Sequence, residues 1–372
     1  MRSGREVVNR IKVLVVEDSL TVRQHIIGVL GTDPRFELVG EGADGQQAMD
    51  LCSRLRPDVM TLDMALPLAS GLDVTRHVMA DCPTPILIVS SSTNRGEAFR
   101  MFDALQAGAV DVLEKPSGRE PHGSWEKKLL FALRVVSRVK VVTRHRPRNP
   151  PALGPARPAI GLKPGLESTG AVPLPTLIAI GASTGGPVAV ARILRDLPPN
   201  FPVPVLVIIH IAPDFAPMLA EWLATQSSIP VTTVREGQPL PSRGTPQVLV
   251  TPAVDRHLVV REGRLDTTSG PERNFIRPSV DVLFESLASE VGCRAIGCLL
   301  TGMGRDGAAG LLAIRRSGGI TLAQDEATSA MFGMPREAAL LGAAAHVLPL
   351  PEIAPMLASL AGAGAVEMEG AR

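Results

Sequence analysis

Thr176-Leu-Ile-Ala-Ile-Gly-Ala-Ser183-Thr-Gly-Gly-Pro187 decides the fold of the rear half of this chain. Thr176 to Ile180 is a short apolar run, of the length expected for a strand buried on both faces. Gly181 ends it. Gly185, Gly186 and Pro187 open a helix, with proline in the first turn, where its missing N–H costs little. Ser183 stands at the tip of this strand–turn–helix, and Gly181 to Gly185 spell G-x-S-x-G, a spacing that exposes a serine oxygen on a sharp turn. The turn alone is also compatible with a plain tight loop or a phosphate cradle. It lacks the Lys-Ser/Thr of a P-loop and does not spell G-x-G-x-x-G.

Two further stretches favour a nucleophile. Val205-Leu-Val-Ile-Ile209 is a second buried-strand run, followed directly by His210. A third run begins near Arg294, closes at Cys298-Leu-Leu300 and leads into Thr301-Gly-Met-Gly304-Arg-Asp306-Gly307. Serine, histidine and aspartate each stand just past a parallel strand, on the edge where open α/β sheets form their ligand crevice. A serine nucleophile needs a base, and the base needs a carboxylate to orient it. The chain order is Ser, His, Asp; α/β-hydrolases run Ser, Asp/Glu, His, so that fold is excluded despite the matching turn. A lone histidine is more often structural than catalytic. His257, on a hairpin, and His346, before a late strand, read as structural or surface residues, whereas His210 ends a buried strand beside the serine turn. Asp306 is preferred over Asp281 and Asp325 because its flanking glycines let the backbone approach closely.

At 372 residues two domains are the default, and 45% hydrophobic residues suffice for real cores. A net charge of +1 and the absence of tyrosine argue against nucleic acid as a bulk partner. Cys52, Cys82, Cys293 and Cys298 form no C-x-x-C pair and read as buried cytosolic thiols. The N-terminus, with Arg2, Arg5 and Arg10, has no signal-peptide core, and the longest uncharged stretch is broken by Pro and Gly. The expectation is a cytoplasmic protein without membrane insertion.

In the front half, Lys12 to Val16, Glu37 to Gly40, Val59 to Leu62, Ile86 to Val89 and Val110 to Leu113 are short apolar strands alternating with helices such as Leu20 to Leu30 and Gly45 to Leu55. That alternation gives a doubly wound parallel sheet. Glu17, Asp18 and Asp63 follow strand ends and would converge on one edge, where three like charges call for a cation; an open oxygen-ligand site suits Mg²⁺. Lys115 would add a compact positive charge and Ser90 a hydroxyl, together a site for a phosphoryl group on a carboxylate. Trp125 to Val142 has helical spacing and closes this domain. From 143 to 175 repeated Pro and Gly, with Pro150, Pro151, Pro155 and Pro158 among them, make an extended tether.

Residues 11 to about 117 resemble a response-regulator receiver domain, on Val-Val-Glu17-Asp18-Ser, Thr-Leu-Asp63-Met-Ala-Leu-Pro67-Leu-Ala-Ser-Gly71 and Leu-Glu-Lys115-Pro116. The resemblance implies phosphorylation of Asp63 by a histidine kinase, Mg²⁺ held by Glu17, Asp18 and Asp63, phosphoryl contacts from Ser90 and Lys115, and a cis Lys115–Pro116 bond. The usual aromatic switch position of the last strand is Val112 here, so a ring rotation cannot relay the signal.

From 176 on, the remaining runs predict strands at Gln247 to Thr251 and Ile320 to Gln324, an antiparallel edge hairpin from His257, and helices at Val280 to Ala288, Gly307 to Arg315 and from Pro335. Ile-Gly-Ala-Ser183-Thr-Gly-Gly, Val-Ile-Ile-His210, Arg277-Pro-Ser-Val-Asp281, Leu-Thr-Gly-Met303-Gly-Arg-Asp306-Gly and Gln324-Asp-Glu-Ala-Thr-Ser-Ala-Met-Phe-Gly-Met-Pro-Arg336-Glu resemble the catalytic domain of chemotaxis protein-glutamate methylesterases. The resemblance implies Ser183 as nucleophile, His210 as base, Asp306 as its acid, and Thr184 and Met303 lining the site with N–H groups toward an oxyanion. It implies hydrolysis of glutamyl methyl esters on chemoreceptors and deamidation of receptor glutamines, without a cofactor for that reaction. The expected architecture is α/β: a flavodoxin-like receiver (1–142), a Pro/Gly-rich linker (143–175) and a Rossmann-like methylesterase domain (176–372). The competing expectation is a phosphorylation-controlled binding regulator without chemistry.

Overall fold

The computed structural model describes residues 10–91, 95–116, 118, 121, 123–141, 173–252 and 255–362. Nearly all of the predicted tether lies outside the described residues.

In the front half β1 (Ile11–Val16), α1 (Leu20–Gly31), β2 (Phe36–Gly42), α2 (Gly45–Leu55), β3 (Val59–Leu62), α3 (Gly71–Asp81), β4 (Ile86–Ser90), α4 (Arg95–Ala107), β5 (Asp111–Glu114) and α5 (Ser124–Val136) alternate strictly. The sheet is parallel with order β2-β1-β3-β4-β5, so β5 is an edge strand. The apolar runs become buried strands; every residue of β3 and β4 is buried. Helix starts follow local chemistry: Asp44 caps α2, and Ser70 with Asp73 forms a reciprocal capping box on α3.

The rear half contains β6 (Leu177–Ala182), α6 (Gly186–Asp196), β7 (Val205–Ile209), α7 (Ala216–Gln226), β8 (Val231–Thr233), β9 (Gln238–Pro239), β10 (Val248–Val250), β11 (His257–Arg261), β12 (Arg264–Thr268), α8 (Val280–Glu290), β13 (Ala295–Leu299), α9 (Ala308–Arg316), β14 (Ile320–Gln324), α10 (Met334–Leu340), β15 (His346–Leu348) and α11 (Leu350–Leu360). Seven strands form a parallel sheet ordered β15-β14-β13-β6-β7-β10-β8. The first strand, β6, lies between β7 and β13, so the winding reverses on either side of it and the crevice opens at its carboxyl end. All six residues of β6 are buried, each large apolar one contributing about 1.5–3 kcal/mol.

Several expectations are corrected. The helix predicted for 125–142 ends at Val136; Ser137, Arg138 and Val139 close it with turn bonds to Leu133, Val135 and Val136. The hairpin from His257 forms, but β11 and β12 join β9 in a separate three-stranded antiparallel sheet rather than edging the main one. His257 is no surface residue: it is buried, with Nε2 at 2.9 Å from Pro271 O and Nδ1 accepting the Ser279 N–H. Cys293 is exposed, unlike the other three cysteines. Among the described residues the only cis peptide precedes Pro278; the Lys115–Pro116 bond is not cis. No helix of the described residues is long and apolar enough to cross a membrane.

The two sheets share one apolar cluster, which runs from α3 and α4 into α6, α7, β6 and β7. At its centre the Phe102 ring stacks on Trp222, centroids 5.2 Å apart. Around it Trp222 Nε1 donates to Asp103 (3.1 Å) and Arg95 pairs with Glu221 (2.7 Å).

Candidate active site

β7, β6 and β13 end side by side. The register pairs Ala182 with Ile209 and Gly181 with Leu299. The ladder continues past the strands: His210 N–H donates to Ala182 O and Ser183 N–H to Thr301 O, both at 3.0 Å. Ser183 and His210 therefore emerge from neighbouring strands, spaced about 4.8 Å apart, and line one cavity of about 390 Å³.

The His210 ring is fixed from one side. Nε2 lies 3.0 Å from Asp306 Oδ2, so that nitrogen carries the proton and Nδ1 keeps its lone pair. Nδ1 is buried and has no hydrogen-bond partner among the described residues, Ser183 Oγ included. Asp306 is fully buried at the N-terminus of α8. It accepts from Ser279 Oγ (2.6 Å), the Val280 N–H (2.7 Å) and Asn274 Nδ2 (3.2 Å) as well as from His210. Burial pushes this carboxyl up, but the His210 hydrogen bond and charge, with the Ser279 and Val280 bonds, outweigh it and bring it down to about 2. It stays ionised and orients the imidazole.

Residues 178–357 match the family described as CheB methylesterase, and residues 13–121 match the response regulator receiver domain. A protein-glutamate methylesterase/protein-glutamine glutaminase of Anaeromyxobacter dehalogenans is 43% identical over 92% of this chain and 95% of its own length. One of Geobacter metallireducens is 38% identical over 94% and 99%. This chain belongs to the protein-glutamate methylesterase/protein-glutamine glutaminase family. The crystal structure of the Thermotoga maritima CheB methylesterase catalytic domain shares 33% identity, covering 50% of this chain and 98% of its own, at a TM-score of 0.47.

Thr184 and Met303 are not among the residues lining the cavity that Ser183 and His210 share. Neither the Thr184 nor the Met303 N–H finds an acceptor among the described residues. Gly302 lets the β13 loop lie against the serine turn: a Cβ there would come 2.8 Å from Ser183 Cβ and would strike Met334 Sδ. Sequence reasoning assigned no role to Ser279 or Asn274. Ser279 had a readable signal, a serine before an apolar helical run, and it does cap α8. Asn274 had none. It stands 32 residues from Asp306, and its amide also bonds Asp281 at 3.0 Å.

A receiver residue reaches the same crevice. Thr184 Oγ1 donates to Asp111 Oδ2 of β5 at 2.6 Å. Asp111, Val112 and Leu113 line the cavity opposite Ser183 and His210. Burial pushes the Asp111 carboxyl up, against the hydrogen bonds from Thr184 and from the Val112 N–H.

On the receiver's own carboxyl edge, ligand atoms of Glu17, Asp18 and Asp63 lie within 4.8 Å of one another. Lys115 Nζ reaches Glu17 (2.9 Å) and Asp63 (2.8 Å). Ser90, at the end of β4, is buried beside them in the sheet order. Burial and the neighbouring Asp63 charge raise Glu17 to about 7 despite Lys115, and Glu17 Oε2 is buried without a partner. That excess of oxygen ligands fits a hard divalent cation.

Proposed function

We propose that this chain hydrolyses methyl esters on glutamate side chains of chemoreceptors, releasing methanol, deamidates receptor glutamines to glutamate, and is controlled by phosphorylation of Asp63 by a histidine kinase in the cytoplasm. The supporting observation is the His210 ring, which lines one cavity with Ser183: Nε2 is held by a buried ionised Asp306 and Nδ1 has no hydrogen-bond partner among the described residues.

In this reading Ser183 Oγ attacks the ester carbonyl while His210 Nδ1 takes its proton. Thr184 and Met303 N–H groups hold the oxyanion; one such donor is worth on the order of 10²–10³ in rate. The tetrahedral intermediate collapses to an acyl-enzyme, and methanol leaves with the proton from His210. Water, deprotonated by His210, then hydrolyses the acyl-enzyme to free glutamate and Ser183. With a glutamine, ammonia leaves in place of methanol.

Glu17, Asp18 and Asp63 would hold Mg²⁺, which supplies charge neutralisation for phosphoryl oxygens when bound. Asp63 would accept the phosphoryl group, with Lys115 and Ser90 contacting its oxygens. The receiver spans 1–142 and the catalytic domain 176–372, with 143–175 as tether. In the unphosphorylated state the receiver covers the serine edge through β5, and phosphorylation shifts the equilibrium away from that contact. Methanol release from methylated receptor tests the chemistry: Ser183→Ala abolishes it, and full release by the variant would discard the nucleophile.

A further inference from the structure

We propose that Phe275 is a docking residue for the substrate, its ring covering an apolar side chain beside the esterified glutamate on the receptor segment. The inference rests on the methylesterase reading and adds how the substrate is held.

Phe275 is 95% exposed, so its ring contributes almost nothing to folding. Its backbone is left-handed (φ 63°), directly after Asn274 (φ 54°). Asparagine tolerates that region but phenylalanine adopts it only at a steric cost, and such strain gathers at functional sites. The turn is nonetheless rigidly built. Arg273 and Ile276 exchange N–H···O bonds of 3.1 and 3.0 Å across it. The Asn274 amide donates to Asp306 (3.2 Å) and Asp281 (3.0 Å), and its oxygen accepts from Arg305 Nε (3.2 Å). One residue of the turn is thus tied to the carboxylate that orients His210, while the next presents an aromatic ring to solvent.

The surface around the ring suits a substrate segment. Phe275, Ile276, Gly304, Arg305 and Glu337 line a cavity of about 390 Å³ whose wall includes Asp306, the residue that hydrogen-bonds His210. Arg305 is exposed and gives the rim a cation, matching a segment that carries glutamates. Leu340, 68% exposed, lies three residues beyond Glu337 on the same face of α10. Among the described residues, none from the receiver lines this cavity. Receptor docking through this face therefore does not wait for phosphorylation.

The experiment measures methanol release by phosphorylated full-length protein from a methylated receptor cytoplasmic fragment and from a short peptide bearing one glutamyl methyl ester flanked only by glycine and serine, which offers the ring no apolar neighbour. Phe275→Ala and Phe275→Gly raise the receptor KM on the order of 10-fold with kcat unchanged, leave peptide turnover unchanged, and Phe275→Leu recovers most of the loss. Phe275→Gly, which adopts the left-handed turn freely, also keeps or raises the thermal midpoint, whereas a structural ring would lower it. An unchanged receptor KM, or equal losses on both substrates, overturns the docking role alone. Wild-type protein that releases methanol from neither substrate overturns the methylesterase reading and this inference with it.

Discussion

Several donors converge on the Asp306 carboxylate, and their chemistry sets two expectations. Its pKa is lowered from 3.8 to about 2. A depressed carboxyl stabilises the fold above its unfolded value, and that contribution disappears as pH falls through the folded one. Wild type should therefore lose about 2 kcal/mol between pH 3.8 and 2 through this group. Asp306→Asn should lack that component, seen as a flatter urea midpoint across the same window. Because an amide cannot hold the Nε2–H tautomer as a carboxylate does, kcat of Asp306→Asn at neutral pH should fall on the order of 10³–10⁴. A loss under tenfold would remove Asp306 from the triad.

At the scale of elements, the strand ends were the legible part. An apolar run ending in Gly-Ala-Ser183 or in His210 shows its period and its stop without any tertiary knowledge. The seven-stranded order, with β6 between β7 and β13, was not legible, because it is set by which strands pair rather than by any one run. What stayed hidden depends on contacts between distant elements. The N-terminus of α8 meets Asp306 across 26 residues of chain, and the β11–β12 hairpin pairs with β9, whose two residues carry no strand pattern. The early end of α5 was missed because Val139 keeps the apolar spacing after the helix has closed. Gly302 belongs to the same class: its sequence neighbourhood reads as a turn, but its constraint is Ser183 on another element. Gly302→Ala should push the serine turn, lowering kcat roughly 100-fold, since an ångström of misplacement costs about that much. Overpacking should destabilise the fold by about 1–3 kcal/mol. Intact kcat with a lowered melting point would mean the crowding is relieved at Met334 instead.

For the whole molecule, β5 is the element that both functions share. As the edge strand it presents one side to the catalytic crevice, where Asp111 accepts the Thr184 hydroxyl, and its chain continues into Lys115, whose amine holds Asp63 and Glu17. The two ends are four residues apart, about 13 Å in an extended strand. On the proposed reading, a phosphoryl group on Asp63 would compete for Lys115, and a shift of β5 would reach Asp111 without an aromatic ring at Val112. The burial that raises the Asp111 carboxyl fixes the sign of a test. Burial costs the ionised carboxylate more in the covered state than in water, so ionised Asp111 opposes closure. Asp111→Asn keeps an acceptor for Thr184 and removes the charge. Unphosphorylated Asp111→Asn should release methanol several-fold more slowly than wild type, and lowering the pH should narrow the gap as the wild-type carboxyl protonates. Full activation by phosphorylation should remain, because the open state exposes residue 111 to water in both proteins. If Asp111→Asn is instead faster than wild type when unphosphorylated, the carboxylate is a closing contact and the electrostatic account of the interface is wrong.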